Sequence, residues 1–268
     1  MTRPAFVPVM LTAATLLLAD TASAQQPAPQ TLQLAPKAAP GGVKYHASFM
    51  LSGGFDLDAF GTVLEATLGS QGSAQVAVRQ SVAWPDIYVT VPKRAEFSVG
   101  FGIFQKDEIV ARISRATYTS DPLADAGNFA SPSAFGDLTV DVSQYREQSW
   151  EIGLRHYLVN TPRIKQYANI MYGVRTVQPI SANLTGSDGV GSIGTFRLYE
   201  QAKLKSYSLE MGLTFEFGHV GVFAQVGGRF VERLKRTDED LATWSLEALN
   251  NSGSRFYMPA QFGVLFRL

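Results

Sequence analysis

The strongest constraint in this sequence is a strict alternation of apolar and polar side chains over segments of ten or more residues. Within 204–217, every odd-numbered residue from Tyr207 onward is apolar, and every even-numbered residue from Ser206 onward is polar or small. Successive side chains of a β-strand point to opposite faces, so this pattern predicts a strand with one apolar and one polar face. The last segment, 255–268, alternates in the same way. The chain is therefore predicted to be all-β.

Eight segments carry this pattern, and their length indicates a membrane barrel. Strands of about ten residues, tilted by about 45°, match the thickness of the hydrocarbon layer of a bilayer. The predicted strands are 44–52, 95–105, 108–118, 147–159, 164–177, 204–217, 219–231 and 255–268.

The connections between these strands alternate in length. Three are tight, at 105–107, 160–163 and 218–219, and three are long and polar, at 120–146, 178–203 and 232–254. Short turns on one side and long loops on the other are typical of outer-membrane barrels whose chain ends both lie in the periplasm. We therefore predict a transmembrane, antiparallel, up-and-down β-barrel of eight strands in the outer membrane.

The segment 56–93 leaves a second strand count open. It is too long for a loop without structure, and apolar residues alternate around Leu64 and again around Val78. The segment is predicted either to form a hairpin in the first extracellular loop or to supply two more wall strands. Eight strands are preferred and ten remain possible.

The N-terminus has the features of an export signal. Residues 1–24 combine a basic residue, an apolar stretch and a final Ala-Ser-Ala triplet, which predicts a cleaved signal peptide. Residues 25–42 are rich in Pro, Ala and Gln and predict an extended periplasmic segment. The barrel is expected to occupy 43–268.

Composition excludes several classes of function. The chain has no cysteine, and its 23 Lys and Arg balance 23 Asp and Glu. A balanced charge favours no nucleic-acid partner, and three scattered histidines have no metal-ligand spacing. No metal and no cofactor are predicted.

The polar faces of the strands predict a charged barrel interior. Because an eight-stranded barrel has just enough room for side chains, these charges must pair or keep water. The structural interpretation is an ion-paired plug, and the functional alternative is a narrow polar pore. The residues predicted to face the lumen are Lys44, Glu96, Glu108, Arg112, Glu147, Glu151, Arg155, Arg175, Glu210, Glu216, Arg229 and Arg267.

The alternating C-terminus resembles the assembly signal of outer-membrane barrels, formed here by Phe262, Val264, Phe266 and Leu268. Leu268 stands where an aromatic residue is usual. The chain resembles OmpA/OmpX-type small barrels over 43–268, and 149–157 is similar to a stretch found in poorly characterised proteobacterial barrels. This resemblance implies recognition by the barrel-assembly machinery and no particular activity.

Small barrels include lipid-modifying enzymes, so a nucleophile–base pair would be significant. His46 and Ser48 share one face of the first strand and are the best local candidates for a hydrolase. Their predicted place in the lumen, near the periplasmic end, is wrong for chemistry on outer-leaflet lipid, and His156 and His219 map to the same end. We therefore predict that the protein is not an enzyme.

Basic residues are predicted where strands leave the outer leaflet, and they suggest a lipid partner. Such residues can pair with phosphates of lipopolysaccharide, or they can be ordinary solvated charges. The preferred function is a structural role in the envelope or binding through the loops, and the alternative is a narrow passive pore for ions or small polar solutes. The basic residues are Arg115, Lys203, Lys205, Arg233, Lys235 and Arg236.

Overall fold

The computed structural model describes residues 46–88, 93–187, 190–251, 253 and 255–268. The predicted signal peptide (1–24) and Pro-rich segment (25–42) lie outside these residues. In this part of the chain no helix has the length and apolarity needed to cross a membrane. The strands are β1 (Ala47–Phe60), β2 (Thr62–Leu64), β3 (Thr67–Gln71), β4 (Ala74–Val78), β5 (Val82–Ala83), β6 (Lys93–Gly102), β7 (Asp107–Tyr118), β8 (Leu123–Ser131), β9 (Ala134–Val142), β10 (Tyr145–Asn160), β11 (Ile164–Val177), β12 (Ile180–Gly186), β13 (Gly191–Tyr199), β14 (Ala202–Phe217), β15 (Val220–Val231) and β16 (Arg255–Arg267). A short helix, α1 (Trp84–Ile87), follows β5, and a 3₁₀ helix (Leu241–Trp244) precedes β16.

Eight of these strands close into a barrel, which is called the wall below. Their order around the barrel is β1, β16, β15, β14, β11, β10, β7, β6 and back to β1. Every neighbouring pair is antiparallel. At the seam, Leu51 of β1 lies opposite Val264 of β16 on one side and Phe97 of β6 on the other. The predicted eight-stranded antiparallel barrel is thus confirmed.

The ten-strand alternative is wrong, because the segment after β1 pairs outside the wall. Strand β2 pairs with β5, and the hairpin β3–β4 joins a separate sheet through β8. The alternation around Leu64 and Val78 belongs to these short strands, and both side chains are buried.

The two ends of the wall differ in the length of their connections. Residues 103–106, 161–163 and 218–219 make the tight turns, and this end is called the turn end. Gly218 has a φ of +71° in its two-residue turn, a conformation that favours glycine. The opposite end is called the loop end, and it carries the four long connections 61–92, 119–144, 178–201 and 232–254.

Strands of one further sheet lie in three of the long connections. The first, 61–92, was predicted to form a hairpin if it added no wall strands, and it contains β3–β4; the next two were predicted as polar loops, and that prediction is wrong. The order in this sheet is β13, β12, β9, β8, β4 and β3. Each of the first three connections contributes a hairpin, and neighbouring hairpins pair at β4–β8 and β9–β12. This sheet, together with β2, β5, α1 and the segment 232–254, is called the loop domain.

The segment 232–254 covers both edges of the loop-domain sheet. Near one edge, the backbone N–H of Glu65 donates to Leu249 O at 2.8 Å. At the other edge, Glu200 N–H donates to Lys235 O at 2.9 Å. Covering an edge in this way removes the unpaired backbone groups that invite pairing with other chains.

The loop domain has an apolar core, which continues onto wall residues at the loop end such as Tyr118 and Leu204. Inward side chains of its strands pack with α1 and with leucines of 232–254, and each such side chain contributes roughly 1.5–3 kcal/mol when fully buried. The OH of the buried Tyr199 donates to Val63 O at 2.9 Å, which ties β13 to β2. Members of this core are Val63, Leu64, Val76, Val78, Val82, Trp84, Ile87, Leu138, Val140, Val142, Ile180, Leu184, Phe196, Leu198, Leu241, Leu246 and Leu249.

Candidate functional site

The outward face of the wall is apolar across its middle. On β14 every outward side chain from Tyr207 to Phe217 is apolar, and this stretch covers about 25 Å along the barrel axis at the rise and tilt typical of barrel strands. Aromatic rings lie near both borders of the band, for example Trp150 towards the loop end and Phe217 towards the turn end; they are 55% and 74% exposed. Aromatic girdles of this kind occur where a barrel meets the two membrane interfaces.

The predicted assembly-signal residues lie on this apolar face. Phe262, Val264 and Phe266 point outward from β16, and Leu268 follows the end of that strand. All four side chains are exposed.

The inward face of the wall is charged. Eleven of the residues predicted to face the lumen are described, and all eleven lie inside the wall; Lys44 lies outside the described residues. Ten are buried, and the Arg267 side chain is 16% exposed. Their pairing, which the sequence does not give, divides the lumen into layers.

An upper layer lies next to the loop domain. Arg94 binds Asp56, with an Nη2–Oδ2 distance of 2.5 Å. Glu147 accepts from Arg175 at 2.8 Å and from Arg255 at 2.6 Å. Asp56, Arg94 and Arg255 were not predicted to face the lumen.

A group of aromatic rings closes the top of this layer. The Arg255 guanidinium lies 4.2 Å from the ring centroid of Tyr118 and 5.1 Å from that of Trp84, which belongs to α1 of the loop domain. Tyr118 and Tyr145 stack with centroids 4.5 Å apart. The wall and the loop domain therefore meet through a buried cation that is surrounded by aromatic rings.

A middle layer is organised around Arg112. Its guanidinium lies 3.0 Å from Glu96, 2.8 Å from Glu151 and 2.7 Å from Glu210. Arg229 binds Glu210 from another strand at 2.6 Å.

An apolar and tyrosine layer lies below the middle layer. Met50, Phe223 and Leu265 point into the lumen here and pack with Tyr157 and Tyr167. The remaining gap between this layer and Arg112 is about 200 Å³ and is lined in part by Met50 and Phe223. Polar side chains also cross this level: Asn169 accepts from Arg155 at 3.0 Å and donates to Gln225 at 3.1 Å, and Gln225 donates to Glu210 at 2.8 Å.

A lower layer at the turn end is organised around Glu108. Its two carboxylate oxygens contact His46 at 2.7 Å, Ser48 at 3.1 Å and Arg155 at 2.9 Å. They also accept from Tyr157 at 2.8 Å and Arg267 at 3.2 Å. Five partners leave this carboxylate no free acceptor site.

A second pair in the lower layer involves Glu216, which binds Lys165 at 2.6 Å and Arg267 at 3.2 Å. Lys165 was not predicted to face the lumen. It occupies the first inward position of β11, so the alternation of that strand already contained the signal.

The charges inside the described part of the wall are nearly balanced, with seven carboxylates and eight Lys and Arg. An unpaired buried ion costs several kcal/mol, so each charge depends on its partners. Arg175 links two layers, because it binds Glu147 at 2.8 Å and Glu151 at 3.1 Å. The carboxylates are Asp56, Glu96, Glu108, Glu147, Glu151, Glu210 and Glu216, and the cations are Arg94, Arg112, Arg155, Lys165, Arg175, Arg229, Arg255 and Arg267.

The residues considered for hydrolase chemistry do not form a Ser–His pair. Ser48 is buried and donates to Glu108, and the same carboxylate holds His46. His156 binds Asp107 at 2.7 Å and His219 lies 2.9 Å from Arg267 O, both at the turn end. Among the described residues, no group of His, Asp and Glu is arranged to hold a metal ion.

Five of the basic residues predicted near the outer rim fall into two groups. Lys205, Lys235 and Arg236 each pair with a carboxylate of the loop domain or its border. Arg115 and Lys203 point outward just beyond the apolar band and have no ion pair within the described residues.

A closed antiparallel wall that is apolar outside and charged inside defines the class of protein. Only helices and closed barrels satisfy all backbone groups within lipid, and an apolar exterior about as tall as the hydrocarbon layer is what lipid requires. The chain is a small outer-membrane β-barrel protein.

Comparisons with known proteins identify barrel structures of similar fold but no activity. No protein-family model matches the chain, and no curated protein matches it. Similar solved structures include the outer membrane protease OmpT from Escherichia coli (10% identity, 83% of this chain and 97% of that chain, TM-score 0.42). Others are a major outer membrane protein from Thermus thermophilus (9%, 83% and 99%, 0.41) and Ail from Yersinia pestis (8%, 83% and 99%, 0.38). Sequence identities and TM-scores this low assign no role to this chain, and its membership of the OmpA/OmpX type stays a prediction.

Proposed function

We propose that this protein is an integral outer-membrane barrel with a closed lumen, and that it acts through its bulk in the envelope and through its loop domain. In this proposal both chain ends and the turn end lie in the periplasm, and the loop end faces outward. The observation that carries the proposal is that ion-paired and hydrogen-bonded side chains fill the lumen, with Met50, Phe223 and Leu265 packed among them. A barrel filled in this way can stabilise the envelope and present a binding surface, but it offers no route for solutes.

The loop domain supports the interaction part of the proposal. A sheet packed on an apolar core presents a fixed surface, and a fixed surface loses little conformational entropy on binding. Leu68 and Phe135 are large apolar side chains on this surface, 66% and 68% exposed. They are the first positions that we would expect a protein partner to cover.

The pore alternative requires open space along the polar side chains of the lumen. Direct hydrogen bonds from Asn169 to Gln225 and from Gln225 to Glu210, beside Met50, Phe223 and Leu265, argue against such space. The hydrolase alternative requires a base free to take a proton from Ser48. The contact of both Ser48 and His46 with Glu108 argues against it. We therefore propose neither conduction nor catalysis.

Deletion of the gene, with complementation, tests the role. We expect the deletion strain to become more sensitive to SDS with EDTA, and to take up a small hydrophilic solute at the wild-type rate. Complementation with the full chain should restore resistance. A deletion strain with normal detergent resistance and slower solute uptake would refute the structural role and support the pore.

A further inference from the structure

A groove crosses the outward face of the wall near the loop end. It has a volume of about 910 Å³ including its open side, and it runs over β6, β7 and β10. Ala95, which lines the groove, has only a methyl side chain, and Gly53, which lies opposite it on β1, has none. A methyl group added at Gly53 would meet only Arg94 O, at 3.9 Å. Leu51, Phe97, Ile113 and Trp150 line the groove with apolar surface.

The groove lies at the upper border of the apolar band. Phe97, Ile113 and Trp150 form one row across three neighbouring strands. The next outward row towards the loop end is Ala95, Arg115 and Gln148. The groove therefore has a hydrocarbon-facing part and, immediately above it, a polar edge.

Three cations surround the polar edge. Arg115 lines the groove itself. Thr117, one outward position further along β7, lies opposite Lys93 of β6 and Arg146 of β10, so both side chains are diagonal neighbours of Arg115. Lys93, Arg115 and Arg146 are all exposed, and none has an ion pair among the residues that the structure describes.

Several other cations near the loop end are paired, such as Lys205 with Glu232 and Lys235 with Glu200. Lys203 has no ion pair among the described residues, but it lies on β14, which does not line the groove. Like charges on neighbouring strands repel each other, so an uncompensated group of three indicates an anionic ligand. The apolar groove directly below indicates that the same ligand carries a hydrocarbon chain.

We propose that Lys93, Arg115, Arg146 and the groove form a binding site for one lipopolysaccharide molecule, with a lipid phosphate at the cations and an acyl chain along Phe97 and Trp150. The site rests on the proposed orientation, because that orientation places the polar edge at the outer leaflet. Charge-assisted contacts between Lys or Arg and phosphate are stronger than neutral ones, and Gln148 at the same edge offers a further donor.

Titration of the purified, folded barrel in detergent with lipopolysaccharide tests the site. A lysine or arginine near anionic lipid contributes about fivefold in affinity, so Lys93→Ala/Arg115→Ala/Arg146→Ala should weaken binding roughly one hundredfold. The matched control, Arg79→Ala/Lys106→Ala/Arg163→Ala, removes three exposed positive charges elsewhere and should stay within about twofold.

Two further arms identify the source of the effect. Lipopolysaccharide stripped of its lipid phosphates should bind wild type as weakly as the intact lipid binds the triple variant. Ala95→Trp, which fills the groove and keeps every charge, should weaken binding of the intact lipid about tenfold or more. Equal binding of wild type and the triple variant, or equal binding of intact and stripped lipid, would overturn the proposal.

Two controls separate the binding result from an effect on folding and from the cellular role. Each variant is first shown to be folded by its heat-dependent migration on a gel, and the single variant Arg115→Gln, expected at about fivefold, serves if the triple variant does not fold. Because the titration uses folded protein in detergent, a negative result refutes the lipid site alone. A normal phenotype of the deletion strain refutes the proposed role and leaves the titration unaffected.

Discussion

The substitution Arg112→Met removes the cation at the centre of the middle layer while keeping a side chain of similar length. Three carboxylates lose a partner at 3.0 Å or less: Glu96, Glu151 and Glu210. Glu210 keeps Arg229 at 2.6 Å, but Glu96 keeps only a hydrogen bond from Gln261, at 2.8 Å. The variant therefore leaves at least one buried carboxylate without a cation.

Removing one partner of a buried ion pair costs about 3–5 kcal/mol. Because Arg112 serves three carboxylates, we expect a loss of about 4–5 kcal/mol in the free energy of unfolding, near the upper limit of that range. The control is Arg115→Met on the same strand. Arg115 points outward, so we expect a change of no more than about 0.5 kcal/mol.

The assay is reversible urea unfolding in phospholipid vesicles, followed by tryptophan fluorescence. Adding Glu96→Gln to Arg112→Met should recover about 1–2 kcal/mol, because Glu96 is the buried carboxylate that the first substitution leaves without a cation. Equal losses below about 1 kcal/mol for Arg112→Met and Arg115→Met would refute the ion-paired lumen.

Two further predictions concern the loop domain and barrel assembly. A Cβ at Gly69 would lie 2.4 Å from atoms of the segment 232–254, so Gly69→Val should displace that segment at a cost of about 1–3 kcal/mol and expose it to added protease. The control Ser70→Val, at the exposed neighbouring position, should not increase cleavage. Equal cleavage of the two variants would contradict the packing. Phe266→Ala should slow insertion into vesicles that contain the barrel-assembly machinery more than Phe217→Ala does, since only the former alters the proposed C-terminal signal, and equal rates would remove that role.

The wall could be predicted from the sequence because its signal is local. A strand with one face in lipid and one in the lumen must alternate, and the predicted strand 164–177 coincides with β11 (Ile164–Val177). The same alternation placed the side chains of Arg112 and Glu210 in the lumen. Alternation gives the face of the strand on which a side chain lies and not its height along the barrel axis, so it could not show that these two residues pair.

Asp56, Arg94 and Arg255 were missed at the loop end of the wall. Strand β1 continues beyond its predicted end, and one of the additional inward positions carries Asp56. Strand β6 begins before its predicted start, and the additional inward position carries Arg94. Arg255 lies on the polar face of the predicted last strand, so the alternation of that strand was sufficient to place its side chain in the lumen. Its partners come from α1 and β7, far away in the sequence, and no local pattern indicates them.

Apart from the hairpin expected as one alternative in 56–93, the loop domain could not be predicted, because its strands are short and their pairing is distant. The segment 178–203 looked like a polar, glycine-rich loop, yet it forms the hairpin β12–β13. Strands of five to nine residues become stable here only by pairing with other loops, as β4 does with β8 and β9 with β12. The sequence of one loop contains no information on that partner.

Single-channel recording on the purified wild-type protein in planar bilayers tests the central claim most directly. A lumen blocked by ion-paired layers, an apolar layer and a ring cluster should give no steady conductance in 1 M KCl, even when insertion is verified by protease protection of the wall. Reproducible, long-lived conductance steps from folded protein would contradict the closed lumen.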